Sequence, residues 1–303
     1  MKRTTSHACG STLILALWAL VLISAVLFAW VKLVDQGIES SRVANRGLEA
    51  RALAHSGLAV ASHGGVNRNS PHLHAAFGQD RSYHVTMESE GSRLNLNYML
   101  AGADPARIQF LKRYLAQRGM TLQQREVFID CLLDWTSPAK GVRRLNSVPE
   151  GPDYQLPHRP LQSLDEIPLI HGSQPLVSRP HWKDDFTLFS SGPFDLEGVS
   201  AQTLALVPGI GDQRAQQFVK TREERELSGV NKDGYPFKNR AEALSFLGFT
   251  EQQFSQMSGF LGFRDPVLRV RSVGESGKVI RQVEVIMRRV EGAKAQVLKW
   301  SEE

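Results

Sequence analysis

The sequence predicts an α+β fold in which a long N-terminal helix packs on a small antiparallel sheet that carries a large inserted all-α domain. Three observations predict it: an apolar helical run near the N-terminus, β-rich segments at both ends of the remaining chain, and helix-capping signals between them. A chain of 303 residues, 42% of them hydrophobic, can bury a sizeable core. The expected parts are the helix at 11–62 (membrane part about 11–31), the sheet at 63–94 and 262–303, and the α domain at 95–261.

The N-terminal helix begins with an apolar run that is long enough to cross a membrane. Ser24 is the only polar residue among the nineteen from Leu13 to Val31. At about 1.5 Å per residue they span about 28 Å, close to the bilayer's hydrocarbon thickness of about 30 Å. Lys2 and Arg3 precede the run, so the positive-inside rule keeps the N-terminus in the cytoplasm and exports the chain beyond the run. A cleaved secretory signal fits less well, because its apolar stretch has only about 7–15 residues.

Residues 32–62 continue this helix beyond the apolar run. They contain no proline, and charged residues share the segment with an apolar set at helical spacing, which predicts an amphipathic continuation. The apolar set is Ile38, Ala44, Leu48, Ala52 and Leu58. The alternative is an ordinary anchor joined to a separate domain by a helical linker.

Strands are predicted on either side of a helical middle. Tyr83, Val85 and Met87 alternate with polar residues over 81–89, the period of a half-buried strand. At the other end, β-rich runs separated by glycine-containing turns predict a meander of three strands. These runs are 267–273, 279–290 and 295–300.

The middle of the chain carries helix start and stop signals. Asp104 followed by proline marks the start of one helix, and Gly119 suits its end. Thr121 and Gln124 then form a capping box for a second helix that ends near Trp135.

A ten-residue unit recurs three times farther along, at 163–172, 200–209 and 239–248. Each copy has a capping residue first, an apolar residue eighth and glycine tenth. Glu166 and Glu242 complete capping boxes in the outer copies, so each unit is predicted to be a short helix that ends in a glycine turn.

The middle copy continues into a segment that resembles the helix-hairpin-helix motif, in which a glycine turn presents backbone amides to a DNA phosphate. Gly209, Gly211 and Arg214 are its candidate DNA-binding residues. Over residues 201–230, however, four basic residues are balanced by four acidic ones, so counterion release can supply little affinity. A structural helix-packing turn is the preferred interpretation. A membrane-anchored DNA-binding or DNA-uptake protein stays as the alternative.

Composition and motifs argue against several other classes of protein. A formal net charge of +5 is too small to predict nucleic-acid binding by itself. The two cysteines, Cys9 and Cys131, cannot build a disulfide framework, and Cys131 lies in an apolar stripe that predicts a buried structural thiol. No catalytic signature occurs, which predicts that the protein is not an enzyme. His72 and His74 are interpreted as an isolated pair in a loop.

The N-terminus resembles the type IV pilin and pseudopilin superfamily. In that family a short basic leader ending in glycine is cleaved by a prepilin peptidase, and the apolar helix stays on the protein. Residues 1–10 match the leader, Gly10 matches the residue before the cut, and Ser11 would be the new, N-methylated terminus. Most members carry glutamate at the fifth mature position, where this chain has Leu15. An unpaired carboxylate in a bilayer is costly. A subunit that has no other subunit above it to pair with such a carboxylate therefore has reason to lack the glutamate.

The missing glutamate and the large size resemble the K minor pseudopilin of type II secretion systems, whose inserted α domain has helix-hairpin-helix-like segments. This resemblance implies a subunit that caps the pseudopilus tip and acts in assembly and protein export across the outer membrane. Its partners would be the I and J minor pseudopilins, the major pseudopilin and the prepilin peptidase. The chain would cross the bacterial inner membrane once, with its bulk in the periplasm. A type IV pilus minor pilin shares the leader, but such proteins do not usually carry so large an insertion. The ordered landmarks are 48–58, 94–97, 133–135, 144–146, 153–154, 163–166 and 208–209.

The same resemblance implies a possible calcium ion, because K pseudopilins can bind Ca²⁺ through carboxylates after the Asp-Trp landmark. The available oxygen ligands are Asp134, Glu150 and Asp153. Residues 136–138, where relatives often carry further aspartates, read Thr-Ser-Pro, and basic residues occur close behind them. This depletes the ligand set. Solvated loop carboxylates are therefore the alternative.

Overall fold

The computed structural model describes residues 9–139, 141, 143–229, 231, 235–289 and 295–302, with side chains from residue 12 onward. The helices are α1 (Cys9–Ala61), α2 (Leu96–Leu100), α3 (Pro105–Gln117), α4 (Leu122–Thr136), α5 (Gln174–Val177), α6 (Ala201–Ala205), α7 (Asp212–Ser228), α8 (Arg240–Leu247) and α9 (Glu251–Gln256). The strands are β1 (His74–Ala76), β2 (Arg81–Ser89), β3 (Leu94–Asn95), β4 (Phe186–Thr187), β5 (Phe194–Asp195), β6 (Leu261–Gly262), β7 (Val267–Ser276), β8 (Val279–Arg288) and β9 (Gln296–Glu302).

Helix α1 is one unbroken helix of 53 residues, as the proline-free sequence predicts. At about 1.5 Å per residue it is about 80 Å long. The predicted apolar stripe is wrong in most of its members, because Leu58 is the one residue of that set that is buried. The face that packs on the protein is formed instead by Ala50, Ala54, Leu58 and Ala61. Three of the four are alanine, so a pattern of large apolar side chains does not indicate this face.

The main sheet has five strands in the order β1-β2-β7-β8-β9, and every neighbouring pair is antiparallel. Both strand predictions are confirmed. Tyr83, Val85 and Met87 point to the buried face, and the C-terminal segment forms a three-stranded meander. Because β2 pairs with β7 from Arg81↔Ser276 to Ser89↔Leu268, the two ends of the body meet inside one sheet.

One face of the sheet packs on the second half of α1 and forms a small core. Its buried members are Ala54, Leu58, Ala61, Val66, Leu73, Tyr83, Val85, Met87, Val270, Val283, Val285 and Met287. The helices between β2 and β7 surround a second, larger core in which Phe110, Phe128, Phe186, Phe194 and Phe218 are almost fully buried.

The predicted caps of α3 and α4 are confirmed. The Asp104 carboxylate accepts hydrogen bonds from the backbone N–H groups of Ala106 (2.8 Å) and Arg107 (3.0 Å). Thr121 and Gln124 form the complete capping box, with each side chain bonded to the other residue's backbone N–H. These bonds satisfy donors that the first turn of a helix otherwise leaves unpaired.

The three repeated units have different outcomes. The copy at 163–172 forms a 3₁₀ helix, Leu164–Leu169, rather than an α-helix, and it contains Pro168, which lacks the N–H for a helix-interior hydrogen bond. Its capping box with Glu166 is confirmed. The copies at 200–209 and 239–248 contain α6 and α8. The box predicted for Glu242 is wrong, because its carboxylate accepts from the Lys238 N–H (2.6 Å) and from Arg225 (2.6 Å) instead.

The fold is α+β, as predicted, but the middle of the chain is not purely helical. Two short parallel strand pairs, β3 with β4 and β5 with β6, lie among its helices. Each strand has two residues, which is too short for a detectable period in the sequence. Each pair joins one end of the inserted segment to its interior, so both ends of the insertion are held next to the sheet.

Candidate functional site

The first half of α1 presents apolar side chains to its surroundings on every side. Leu13, Trp18, Phe28 and Trp30 are each at least 61% exposed, and no residue of the most apolar window is buried within the protein. By length and composition, Thr12–Ala61 is one helix of the described chain that could cross a membrane. A surface this apolar and this long matches single-pass anchoring in a bilayer.

The predicted processing residues lie in the first turn of this helix. Gly10 and Ser11 have helical backbone. Leu15 lies on the exposed apolar surface, 67% accessible, and the first acidic residue of the helix is Asp35. The whole apolar half is therefore free of carboxylates. Cleavage after Gly10 and the role of Leu15 stay predictions.

The second half of α1 approaches the sheet so closely that it requires glycine. A Cβ atom added at Gly57 would lie 2.8 Å from Val85 Cγ2 and 2.9 Å from Tyr83 Cδ2, and one added at Gly274 of β7 would collide with the backbone of Ala50. Real Cβ atoms do not come so near to other heavy atoms. The helix from Ala50 onward and the sheet therefore form one packed unit, which argues against an ordinary anchor joined to a separate domain by a helical linker.

The end of α1 is held by an arginine from the far end of the chain. Arg289 Nη2 donates to the carbonyl oxygens of Ala61 (2.8 Å) and Val66 (2.7 Å). A cation at a helix C-terminus stabilises carbonyl groups that have no partner inside the helix. Arg51 adds an ion pair with Glu302 on β9 at 2.6 Å.

The opposite face of the sheet carries charged side chains in pairs. Arg269 of β7 bonds the carboxylate of Glu90 at 2.9 and 3.0 Å and also reaches Glu284 of β8 at 3.2 Å. Glu90 is fully buried and accepts a further hydrogen bond from Thr187 at 2.6 Å. Because Glu90 lies directly after β2 and Thr187 lies in β4, this pair joins the sheet to the helical region.

A second polar junction is centred on Asp195, whose carboxylate is almost completely buried. It accepts hydrogen bonds from Ser89 Oγ (2.6 Å) and from the backbone N–H groups of Glu197, Arg264 and Asp265. A buried carboxylate needs such donors to offset the loss of hydration. One side chain therefore fixes the ends of the inserted segment relative to the end of β2.

Glu197 lies beside this junction and faces Arg68 and Arg264, at 3.8 and 3.3 Å. Its side chain is 1% exposed. Burial raises the pKa of the Glu197 carboxyl to about 7, and the neighbouring charge of Asp195 adds to the effect. This carboxyl is thus held close to the midpoint of its titration at neutral pH.

A polar groove separates the outer face of the sheet from part of the helical region. Its volume is about 570 Å³. Arg269, Arg271, Glu284 and Lys299 line it from the sheet, and residues 163–165, 181, 183 and 184 line it from the helical region. An ion pair between Asp165 and Lys183 crosses the helical side.

The glycine turn between α6 and α7 has the form of a packing turn. Gly209 and Gly211 have positive φ angles of 83° and 73°, which explains why glycine occurs there. The guanidinium group of Arg214 lies 3.4 Å from the Gly209 carbonyl oxygen and over the ring of Phe249. Ile210 is buried in the helical core. Arg214 is exposed and makes these contacts at the surface, so the choice between a packing turn and a phosphate site stays a prediction.

Two of the three candidate calcium ligands, Asp134 and Glu150, line one small cavity, and both already have hydrogen-bond partners in the protein. Asp134 gives one carboxylate oxygen to Arg144 Nη1 at 2.7 Å and the other to the Arg144 backbone N–H at 3.0 Å. Glu150 accepts from the Leu156 N–H and lies 3.2 Å from His158. Asp153 is exposed, and among the described residues no three His, Cys, Asp or Glu side chains form a group that could hold a metal. This donor set does not fit Ca²⁺, which takes six to eight oxygen ligands.

Cys131 lies in α4 within the helical core, as its apolar stripe predicts. Burial raises the pKa of the Cys131 thiol above its ordinary value. A thiol in this environment is less reactive, because the thiolate is the nucleophile.

Comparison with known proteins gives a match in fold. No protein-family model and no curated protein matches the sequence. Among solved structures, the chain is similar to a chain of the GspK-GspI-GspJ complex from the type 2 secretion system of enterotoxigenic Escherichia coli. The TM-score is 0.54 at 13% identity, and the match covers 89% of this chain and 99% of that chain. The fold predicted from the pseudopilin resemblance is confirmed over nearly the full length.

Sequence reasoning missed the polar junction altogether. Ser89, Asp195 and Asp265 are far apart in the chain and carry no motif, and acidic residues in loops ordinarily indicate solvent exposure. A weak signal did exist: Asp195 and Glu197 come directly after Phe194 and flank Leu196, so these two carboxylates lie in an apolar setting.

Proposed function

We propose that this chain is a minor pseudopilin of a type II secretion system, of the K kind, at the tip of a short periplasmic pseudopilus. The observation that carries the proposal is the fold shared with a chain of the GspK-GspI-GspJ complex, which extends over nearly the whole of both chains. The exposed apolar half of α1 supports it, because a pseudopilin needs this helix in the bilayer and in the filament.

Its mechanism is assembly rather than catalysis. The apolar half of α1 keeps the subunit in the inner membrane, with the bulk of the chain in the periplasm, until the helix enters the filament core. Since α1 runs unbroken into the sheet, the anchor and the body move as one piece. When residues 13–31 leave the lipid and contact neighbouring helices in the filament core, their environment stays apolar.

The tip position rests on two features. With Leu15 in place of glutamate, the helix has no carboxylate that would need a partner in the bilayer. A subunit without a neighbour above it would have no such partner. The large helical region, 95–261, would obstruct a subunit stacked above it. The I and J minor pseudopilins and the major pseudopilin are the proposed partners below the tip, and the prepilin peptidase is the processing partner.

Coexpression with a prepilin peptidase tests the processing step. We expect the wild-type chain to become shorter by the leader, about ten residues, and the Gly10→Val variant to keep its full length. Gly37→Val is the matched control, since Gly37 is a helix glycine with open space around it. An unchanged wild-type chain, or equal shortening of Gly10→Val, would refute processing at this site.

Copurification from detergent-solubilised membranes tests the partners. The wild-type chain should retain the I and J minor pseudopilins together. A chain that retains neither, and binds duplex DNA with an affinity that falls steeply as salt rises, would instead be a DNA receptor.

A further inference from the structure

Two exposed histidines face each other on the outer face of the sheet. His74 lies in the edge strand β1 and His84 in β2, and their Nδ1 atoms are 3.3 Å apart. Their ring planes are inclined at 65°, with centroids 5.5 Å apart. His74 therefore pairs across the sheet with His84, not along the chain with His72 as the sequence suggested.

The strand register places this pair at a position of close side-chain approach. His74 is directly opposite His84, and the next pairs are Ala75↔Tyr83 and Ala76↔Ser82. Phe77 donates its N–H to the Arg81 carbonyl oxygen at 2.7 Å, which makes 77 and 81 a hydrogen-bonded pair. Alternation along an antiparallel ladder then makes 74 and 84 a non-hydrogen-bonded pair, the kind with the shorter Cα separation.

The segment that carries His74 is fixed before any ligand arrives. Tyr83 Oη donates to the carbonyl oxygen of His72 at 3.0 Å, and Leu73 is buried in the small core between them. His84 belongs to β2, which is paired on both sides. A site on such supported strands loses little conformational entropy when a ligand binds.

The separation of the two nitrogens matches the geometry of one metal ion. Zinc binds imidazole nitrogen at about 2.0–2.1 Å in tetrahedral geometry, so two ligand nitrogens lie about 3.3–3.4 Å apart. Two neutral imidazoles that turn Nδ1 lone pairs toward each other repel, unless a proton or a cation lies between them. Imidazole is a ligand that suits zinc, copper and nickel.

We propose that His74 and His84 bind one Zn²⁺ ion through their Nδ1 atoms, with water in the remaining positions. Among the described residues no third His, Cys, Asp or Glu completes a group of three, so this is a site with two protein ligands and open positions. The ion would join the edge strand β1 to β2 through side chains as well as backbone. The proposal does not depend on the proposed function.

The experiment is a zinc titration of the full chain in detergent, purified with a histidine-free tag and read out by competition with a chromophoric chelator. We expect one ion per wild-type chain and at least tenfold weaker binding for His74→Gln and for His84→Gln. The double variant should be no weaker than either single variant. His72→Gln, next to the site but outside the pair, should bind as wild type does. Zinc should raise the melting temperature of the wild type and of His72→Gln only.

Cobalt gives an independent readout of geometry. Bound Co²⁺ should change its visible absorption relative to aqueous Co²⁺ in the wild type, and this change should be absent in His84→Gln. Melting without metal should agree among all variants, since both side chains are exposed. Equal zinc binding by wild type and His84→Gln, or an equal loss in His72→Gln, would overturn the proposal and leave the pair as a hydrogen bond between imidazoles.

Discussion

The two faces of the five-stranded sheet carry different kinds of side chain. The face toward α1 is lined mainly by valine and methionine, and the helix backbone comes within contact of Gly274. The opposite face carries the Arg269, Arg271 and Glu284 pairs and borders a polar groove. The same strands supply both, because alternate residues point to opposite faces.

This difference separates two ways of joining parts of a protein. Close apolar packing fixes one geometry and leaves no room for an added atom, so α1 and the sheet are a single unit. Buried ion pairs fix a geometry through a few directional bonds, and their stability depends on every partner being present. The helical region is therefore attached to the sheet by contacts that single side chains, or a change of pH, can weaken.

The largest effect is expected at the ion-pair face. Arg269→Met leaves the Glu90 carboxylate buried without its bidentate partner and should lower the free energy of unfolding by about 3–5 kcal/mol. Replacing both, as Glu90→Leu with Arg269→Met, should restore part of the loss, because Glu284 keeps its pair with Arg271 whereas Arg93 loses its contact with Glu90 at 3.7 Å. Urea unfolding of the full chain in detergent measures both. If the double variant is as unstable as the single one, the joint depends on packing rather than on charge.

A smaller effect is expected at the apolar face. Gly57→Ala should destabilise by about 1–3 kcal/mol, since the new methyl group would press on Tyr83 and Val85. Gly47→Ala, in the same helix, meets only the end of Arg281 at 3.8 Å and should stabilise by about 0.5–1 kcal/mol through helix propensity. The same urea experiment compares them. Equal effects of the two substitutions would show that the helix does not pack this closely.

The most specific effect is a pH dependence of the polar junction. The pKa of Glu197 rises from its ordinary 4.5 to about 7 in the folded protein. The folded state then binds this proton more tightly than the unfolded chain, so its contribution to stability falls as pH rises from about 4.5 to about 7. The slope is at most about 1.4 kcal/mol per pH unit.

Unfolding midpoints of the wild type and Glu197→Gln, measured from pH 4.5 to 8, isolate this contribution from other titrating groups. Wild type should lose stability relative to Glu197→Gln as pH rises through this window. Glu166→Gln is a suitable control, because the pKa of that carboxyl is lowered below its ordinary 4.5 and its contribution therefore changes little over this window. Parallel curves for wild type and Glu197→Gln would show that the Glu197 carboxyl is not buried in this way.

The sequence predicted those parts of the fold that are set by local rules. The caps at Asp104 and Thr121 and the alternation of Tyr83, Val85 and Met87 are decided within a few residues, and all were confirmed. The apolar half of α1 was also predicted from the sequence. The sequence did not predict the packed face of α1. Small residues occur at Ala50, Ala54 and Gly57 because the sheet lies close to them, and that distance depends on residues far away in the chain.

The polar contacts show the same limit. Glu90 with Arg269, and Ser89 with Asp195, join residues that are more than a hundred positions apart. His74 was noticed beside His72, but strand register turned it toward His84. Local spacing could not show which side chains the register brings together.

The unbroken helix has a mechanical consequence. Because α1 contains no proline and packs against Gly274, it is one continuous helix about 80 Å long, with no flexible connection before the sheet. A force along its axis is delivered to the sheet without being absorbed by a hinge. A displacement of the apolar half is therefore expected to move the sheet with it.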